Sequence, residues 1–175
     1  MSYLKSELLN NFNIKNPKPF VIVLFFRCAS YFAKSRYLLI RIFGIPVRIM
    51  YRLIIEWGLG VELPESVVCG YGLTIHHGVG LVVNPKVVIG NNVTLKNNTT
   101  LGCLTDINDQ CIGYPEIGNN VLIHPHCIIF GAIRIGDNVI IGAGSVVNKD
   151  IPSNCIAAGN PAKVIKYCNE NTTSS

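Results

Sequence analysis

The four histidines of this 175-residue chain come as two close pairs, His76-His77 and His124-Pro125-His126. Imidazole takes up and returns a proton near neutral pH, so each pair is a candidate for general acid–base work. A carboxylate, Glu62, stands fifteen residues before His77. Within reach of an imidazole, such a group orients a general base and stabilises its protonated form. No serine or cysteine nucleophile adjoins His77, so the chemistry expected is deprotonation of a bound hydroxyl. His124 and His126 stand at strand spacing, but a catalytic zinc needs three protein ligands and an open position, and nothing nearby completes that set. No metal is expected, and that pair is left without a role.

The elements that must carry these residues are read from a period of six. Ile117, Ile123, Ile129, Ile135, Ile141 and Val147 are all aliphatic and six apart, and the register runs back through Leu101, Leu95, Ile89 and Val83. After a two-residue slip it continues through Leu81, Ile75, Cys69 and Leu63. A strand alternates its side chains between two faces, so two inward residues flanking one outward residue make one short strand, and a following glycine lets the chain turn. Three such strands close a coil of eighteen residues whose aliphatic positions stack into a core that no single coil could bury. The fold expected is an all-β parallel β-helix. A sandwich of short antiparallel strands would not hold so strict a period.

The basic charge is concentrated at the front: residues 1–57 hold nine Lys/Arg against two Asp/Glu, and the remainder six against eight. Residues 19–57 read as two helices interrupted near Gly44-Ile45-Pro46, with no charge-free window long enough to span a bilayer. Arg27, Lys34, Arg36, Arg41, Arg48 and Arg52 then have two readings that can hold together. They belong to a helical cap over the open end of the β-helix, or they lay a basic face on an anionic membrane surface. Seven scattered cysteines without a Cys-x-x-Cys spacing read as reduced thiols, with Cys69 and Cys127 as small apolar wall residues. No secretory signal is recognised, so a cytoplasmic protein is expected, possible contact with the cytoplasmic face of the membrane included. Between Leu101 and Ile117 ten extra residues leave the wall as a loop within 103–116. The organisation expected is an N-terminal helical cap (1–58), the β-helix (59–152) and a closing segment with tail (153–175), in which Asn169–Ser175 frays.

On the motifs GLTIHHGVGLVV, VTLKNNTTLG, IGAGSVV and AAGNPAKVI, residues 61–166 resemble the serine acetyltransferase branch of the hexapeptide acyltransferases. The run Arg52–Glu56 and the TIHHG core at Thr74–Gly78 are closest to the colanic-acid and capsular polysaccharide type. The resemblance implies a left-handed β-helix, a homotrimer, and acetyl-CoA held between subunits. It puts the catalytic histidine on His77 and its carboxylate partner on Glu62. It places cofactor contacts at Gly102, Cys103, Gly131, Ala143 and Lys163, and acceptor contacts at His76 and Tyr114. Where the serine-specific pattern has a histidine before the loop proline, this chain has Tyr114-Pro115, and Pro125 offers no N–H.

The function expected is acetyl-CoA-dependent O-acetylation of a surface-polysaccharide sugar or its precursor. The partners are acetyl-CoA, a sugar or glycan acceptor and two further copies of the chain, with no nucleic acid. Acetylation of serine or another small molecule, and a non-catalytic β-helix scaffold, are the alternatives.

Overall fold

The computed structural model describes residues 2–13, 16–108 and 110–168, so the tail 169–175 lies outside the described residues. The parallel β-helix is present, with three walls. The first stacks Val61–Glu62, Leu81–Val83, Thr100–Gly102, Ile128–Phe130 and Val146–Val147. The second stacks Val68–Cys69, Val88–Ile89, Glu116–Ile117 and Arg134–Ile135. The third runs from Thr74–His76 through Thr94–Lys96, Leu122–Ile123 and Ile140–Ile141 to Cys155–Gly159, then turns back antiparallel through Ala162–Tyr167. The segment after Pro152 thus adds one more parallel strand before it folds back. The aliphatic columns are inside as the period requires: Leu95, Leu101, Ile123, Ile129, Ile135 and Ile141 are all fully buried.

The corner between the second and third walls shows how the coils are held in register. Asn92, Asn120, Asn138 and Asn154 sit there with φ of 53–58°, a left-handed conformation that asparagine tolerates better than most residues. Their amides form a ladder along the axis: Asn92 Nδ2 donates to Asn120 Oδ1 at 3.1 Å, Asn120 to Asn138 at 3.0 Å and Asn138 to Asn154 at 2.8 Å. One residue earlier, Asn91 donates to Asn119, and Asn119 to Asp137. The paired asparagines are therefore structural.

Four helical segments and a π-helical turn precede the first coil: α1 (Ser2–Asn10), α2 (Lys18–Lys34), α3 (Leu38–Phe43), α4 (Ile45–Tyr51) and the turn Arg52–Gly58. Sequence reading missed α1, and it missed the break at Ser35, where ψ of 136° turns the chain out of the helix. The interruption at Gly44 is where expected, with Pro46 in the first turn of α4, and the position takes glycine because a Cβ there would collide with Phe32 of α2.

These helices terminate the β-helix with side chains. The first coil leaves the backbone of its outer edge without a strand to pair with, which is costly unless other groups supply the bonds. Tyr51 Oη donates to the Leu63 carbonyl, Ser30 Oγ to Glu65 at 2.8 Å, Lys34 Nζ to Val67 at 2.6 Å, and Arg27 to the carbonyls of Cys69 and Gly70. Glu7 Oε1 accepts the Leu73 N–H at 2.7 Å. Asn11 closes the series like a strand backbone, donating to the Leu73 carbonyl at 2.8 Å and accepting from the Ile75 N–H at 3.0 Å. Glu7 is held by Arg27 through Oε1 at 2.6 Å and Oε2 at 2.9 Å, and Glu65 accepts from Arg48 and Arg52 at 2.9 Å each.

The basic residues thereby divide. Arg27, Lys34, Arg48 and Arg52 bond to groups of the first coil. Glu7→Ala should lower stability by about 3 kcal/mol or more, since it leaves the Arg27 charge and the Leu73 N–H unpaired in a buried place. Asn11→Ala should cost about 1–3 kcal/mol. Urea unfolding at fixed protein concentration measures both, and unchanged midpoints would show that the edge is satisfied without them.

Candidate active site

The two departures from the eighteen-residue coil build the candidate site. Val61 pairs with Leu81, twenty residues on, whereas Val82 pairs with Thr100, eighteen on. The two extra residues fall in the corner between the third and first walls, where His77 takes φ of 65° and Gly78 φ of 44°. Gly78 faces Ile22, Ile75 and Val61 so closely that a Cβ would be crowded by all three. The bulge therefore lifts His77 off the wall just beyond His76, the last residue of its strand, and both histidines are exposed. This was the sequence signal for the site that reading by type alone passed over, a slip of two residues beside the paired histidines.

A cleft of about 300 Å³ opens over this corner, lined by Thr74, Ile75, His76 and His77 on one side and by Asn10, Asn11, Phe12, Asn13, Asn16 and Pro19 on the other. The second side is the end of α1, the start of α2 and the described residues next to them, whose participation the sequence did not announce. His76 pairs in register with Lys96 on the next coil, and Lys96 Nζ lies 3.4 Å from His124 Nδ1. Burial and the Lys96 charge both hold His76 and His124 below the ordinary histidine range. His126 has a backbone explanation. Its φ is 61°, its N–H donates to the Asn97 carbonyl, and Gly60, Gly80, Asn98 and Gly144 repeat the left-handed conformation along the same corner.

Glu62 ends the first strand of the first wall and lines a different cleft, with Glu56, Trp57, Val82, Asn84 and Gly102. No hydrogen bond or ion pair joins it to His77 among the described residues. The residues expected to contact the cofactor fall in two groups. Gly102, Cys103 and Gly131 lie where the first wall turns to the second, and Phe130 pairs with Gly102. Ala143 lies at the corner that His77 shares, while Lys163 is on the returning strand opposite Ala158. A single chain does not bring the two groups together.

The ten-residue excursion also takes the expected place. Thr100 pairs with Ile128, twenty-eight residues on, and the loop carries a hairpin of Leu104–Thr105 against Cys111–Gly113. At its base Cys103 and Cys111 are joined by a disulfide, a correction to the reading of every cysteine as a reduced thiol. The hairpin brings their Cα atoms to 5.7 Å, within bridging range, and a spacing of eight residues does not signal this without the pairing. Cys127 is a buried wall residue as expected, whereas Cys69 is partly exposed beside Arg27 and its thiol is pushed up to about 11 by burial. Tyr114 follows the hairpin, half-buried under Lys86, whose Nζ lies 5.1 Å from the ring centroid. It borders the second wall, away from the His76–His77 cleft of its own chain.

Residues 114–149 match the bacterial transferase hexapeptide (six repeats) family. A protein named as a colanic acid biosynthesis acetyltransferase, WcaB of Escherichia coli K12, is 35% identical over 149 residues, which are 84% of this chain and 90% of that one. The galactoside O-acetyltransferase of the same organism is 39% identical over 123 residues, 66% of this chain and 58% of the relative. Among solved structures, the serine acetyltransferase of Neisseria gonorrhoeae superposes with a TM-score of 0.75 at 26% identity, over 97% of this chain and 66% of that one. Period, walls and relatives agree, and the chain belongs to the bacterial hexapeptide transferase family and is an acyltransferase.

Proposed function

We propose that the protein transfers the acetyl group of acetyl-CoA to a hydroxyl of a surface-polysaccharide sugar or its precursor. The observation that carries this reading is the composition of the cleft over His76 and His77. Its opposite side carries the amides of Asn10 and Asn16 and the ring of Phe12, and neither a carboxylate nor a Lys or Arg stands among the described residues lining it. Amides donate to and accept from hydroxyls, and an aromatic ring covers the apolar face of a pyranose. Free serine is a zwitterion whose ammonium and carboxylate need charged partners when taken out of water. The names of the first two relatives point the same way, while the likeness to serine acetyltransferase structures supports serine as the second reading.

In the proposed reaction His77 takes the proton of the acceptor hydroxyl as that oxygen attacks the thioester carbonyl. The tetrahedral intermediate then collapses, the C–S bond breaks, and the CoA thiolate leaves with the proton returned by the imidazolium. Glu62 steadies that imidazolium. Because the two are not bonded within one chain, their pairing requires a turn of the side chains or the approach of a neighbouring subunit. A homotrimer answers this requirement and would also unite the two groups of cofactor residues: Gly102, Cys103 and Gly131 from one subunit would face Ala143, Lys163 and His77 of the next. In the same assembly Tyr114 would reach the neighbour's acceptor cleft. A reaction that draws on acetyl-CoA would run in the cytoplasm, where Cys103 and Cys111 would meet reductant.

His77→Ala should lower turnover by about 10²–10⁴-fold with CoA affinity unchanged, and Glu62→Gln should cost less. Thiol-release kinetics with a capsular oligosaccharide acceptor measures both, and a His77→Ala enzyme of near-normal rate would remove the base assignment. Free serine in the same assay should give little turnover; efficient acetylation of it would favour the second reading. Tyr114→Ala should raise the acceptor KM more than the acetyl-CoA KM. Partial burial and the Lys96 charge hold His76 below the ordinary histidine range, so it should lose its acceptor contact only as pH falls below that range and it gains a proton. Lys96→Met lets His76 protonate more readily, so the rise in acceptor KM should move to higher pH.

A further inference from the structure

Along α3, α4 and the turn that follows, apolar side chains lie both inward and outward, although α3 itself buries none. The inner stripe, Gly44, Tyr51 and then Ile55 in the π-helical turn, is buried against the cap. The outer stripe is Leu38, Leu39, Ile42, Phe43, Ile49 and Met50, with relative exposures of 46–76%. Leu38, Ile42, Ile45 and Ile49, all exposed, follow one another at steps of four, three and four residues, so the outer face is a continuous surface and not scattered side chains. A monomeric surface rarely leaves so many contiguous aliphatic and aromatic groups in water. None of the described helices is long and apolar enough to cross a membrane, so whatever covers this face meets it from outside.

Charge identifies the occupant. The sequence has no aspartate or glutamate between Glu7 and Glu56. Arg48 and Arg52 are paired with Glu65 and Lys34 is bound to the Val67 carbonyl, whereas Arg36 and Arg41, both exposed, make no ion pair among the described residues. These two arginines flank and interrupt the outer stripe. A second copy meeting this face with its own α3–α4 face would bring no acid to Arg36 or Arg41, because that segment has none. An anionic bilayer supplies both complements, acyl chains for the stripe and phosphates for the guanidiniums. Tyr37, 64% exposed at the start of α3, has the amphipathic ring that suits the headgroup level.

We propose that the α3–α4 face is a membrane-docking surface that lies in the plane of an anionic bilayer and is anchored by Phe43 and its neighbours, with Arg36 and Arg41 on the headgroups. Lys34, which the sequence grouped with these two arginines, belongs to the cap. The proposal does not depend on which acceptor is acetylated.

The test is co-sedimentation of the full chain with vesicles of phosphatidylcholine alone or mixed with phosphatidylglycerol. Binding is expected only with the anionic lipid, and added salt should weaken it. The double variant Arg36→Gln/Arg41→Gln should lower partitioning roughly tenfold or more. Leu39→Asp/Phe43→Asp should abolish it even at low salt. Thermal midpoints and masses by light scattering should match those of the unaltered protein for both variants, because neither touches the cap. Failure of the unaltered protein to bind anionic vesicles at low salt would overturn the proposal. So would a fall in the lipid-free mass of Leu39→Asp/Phe43→Asp, which would assign the face to a second copy of the chain.

Discussion

A β-helix has to end, and the open edge of its first coil is the constraint that organises the front of this molecule. Every second or third backbone group from Leu63 to Ile75 meets a side chain of the preceding helices where a strand would otherwise be. An uncovered edge would present a template for pairing with another chain. Covering it with separate side chains needs each to have the right length and chemistry, which explains a buried Glu7, a buried Asn11 and an arginine with its stem inside the fold. The same requirement fixes where α1 and α2 lie. Asn10, Phe12, Asn16 and Pro19 consequently border the His76–His77 corner, so the part of the chain that terminates the fold also walls the candidate acceptor cleft.

The body of the solenoid is regular enough for its irregularities to carry meaning. Each coil repeats because the inward aliphatics must stack and the left-handed corners are filled mostly by asparagine or glycine, with His126 taking the same conformation. Two residues added at one corner lift His77 out of that regularity, and ten added at another become a disulfide-closed hairpin. Both insertions cost the stack nothing, since the columns resume in phase above and below them. A rigid scaffold with small local excursions is a sound way to hold reactive groups, because the side chains that move least are those on the stacked walls.

Electrostatics separates two tasks within one basic segment. Arginines with a buried acid or an orphan carbonyl to satisfy are structural, however exposed their outer atoms are. Those that face water beside an apolar stripe are left for another surface. The sequence shows these residues as one undivided run of charge among hydrophobics, because the pairing acids Glu7 and Glu65 stand outside the run.

The sequence by itself determined the solenoid, its coil length, the position of the ten-residue loop, the closing turn after Pro152 and the catalytic candidates His77 and Glu62 as residue types. All of these follow from a local period or from scarce chemistry at fixed spacing, and neither needs a distant partner to be recognised. It did not reveal α1, the strand-like role of Asn11, the bridge between Cys103 and Cys111, or the cleft residues Asn10, Asn13 and Asn16. Each of those depends on contacts between segments far apart in the chain: the Asn11 amide meets Leu73 and Ile75 sixty-two and sixty-four residues away. Which wall's edge is open, which corner a neighbouring segment crosses, and which arginines are already occupied are properties of packing. Only the tertiary structure decided them, because a side chain's task is set by the backbone group that the fold leaves unpaired beside it.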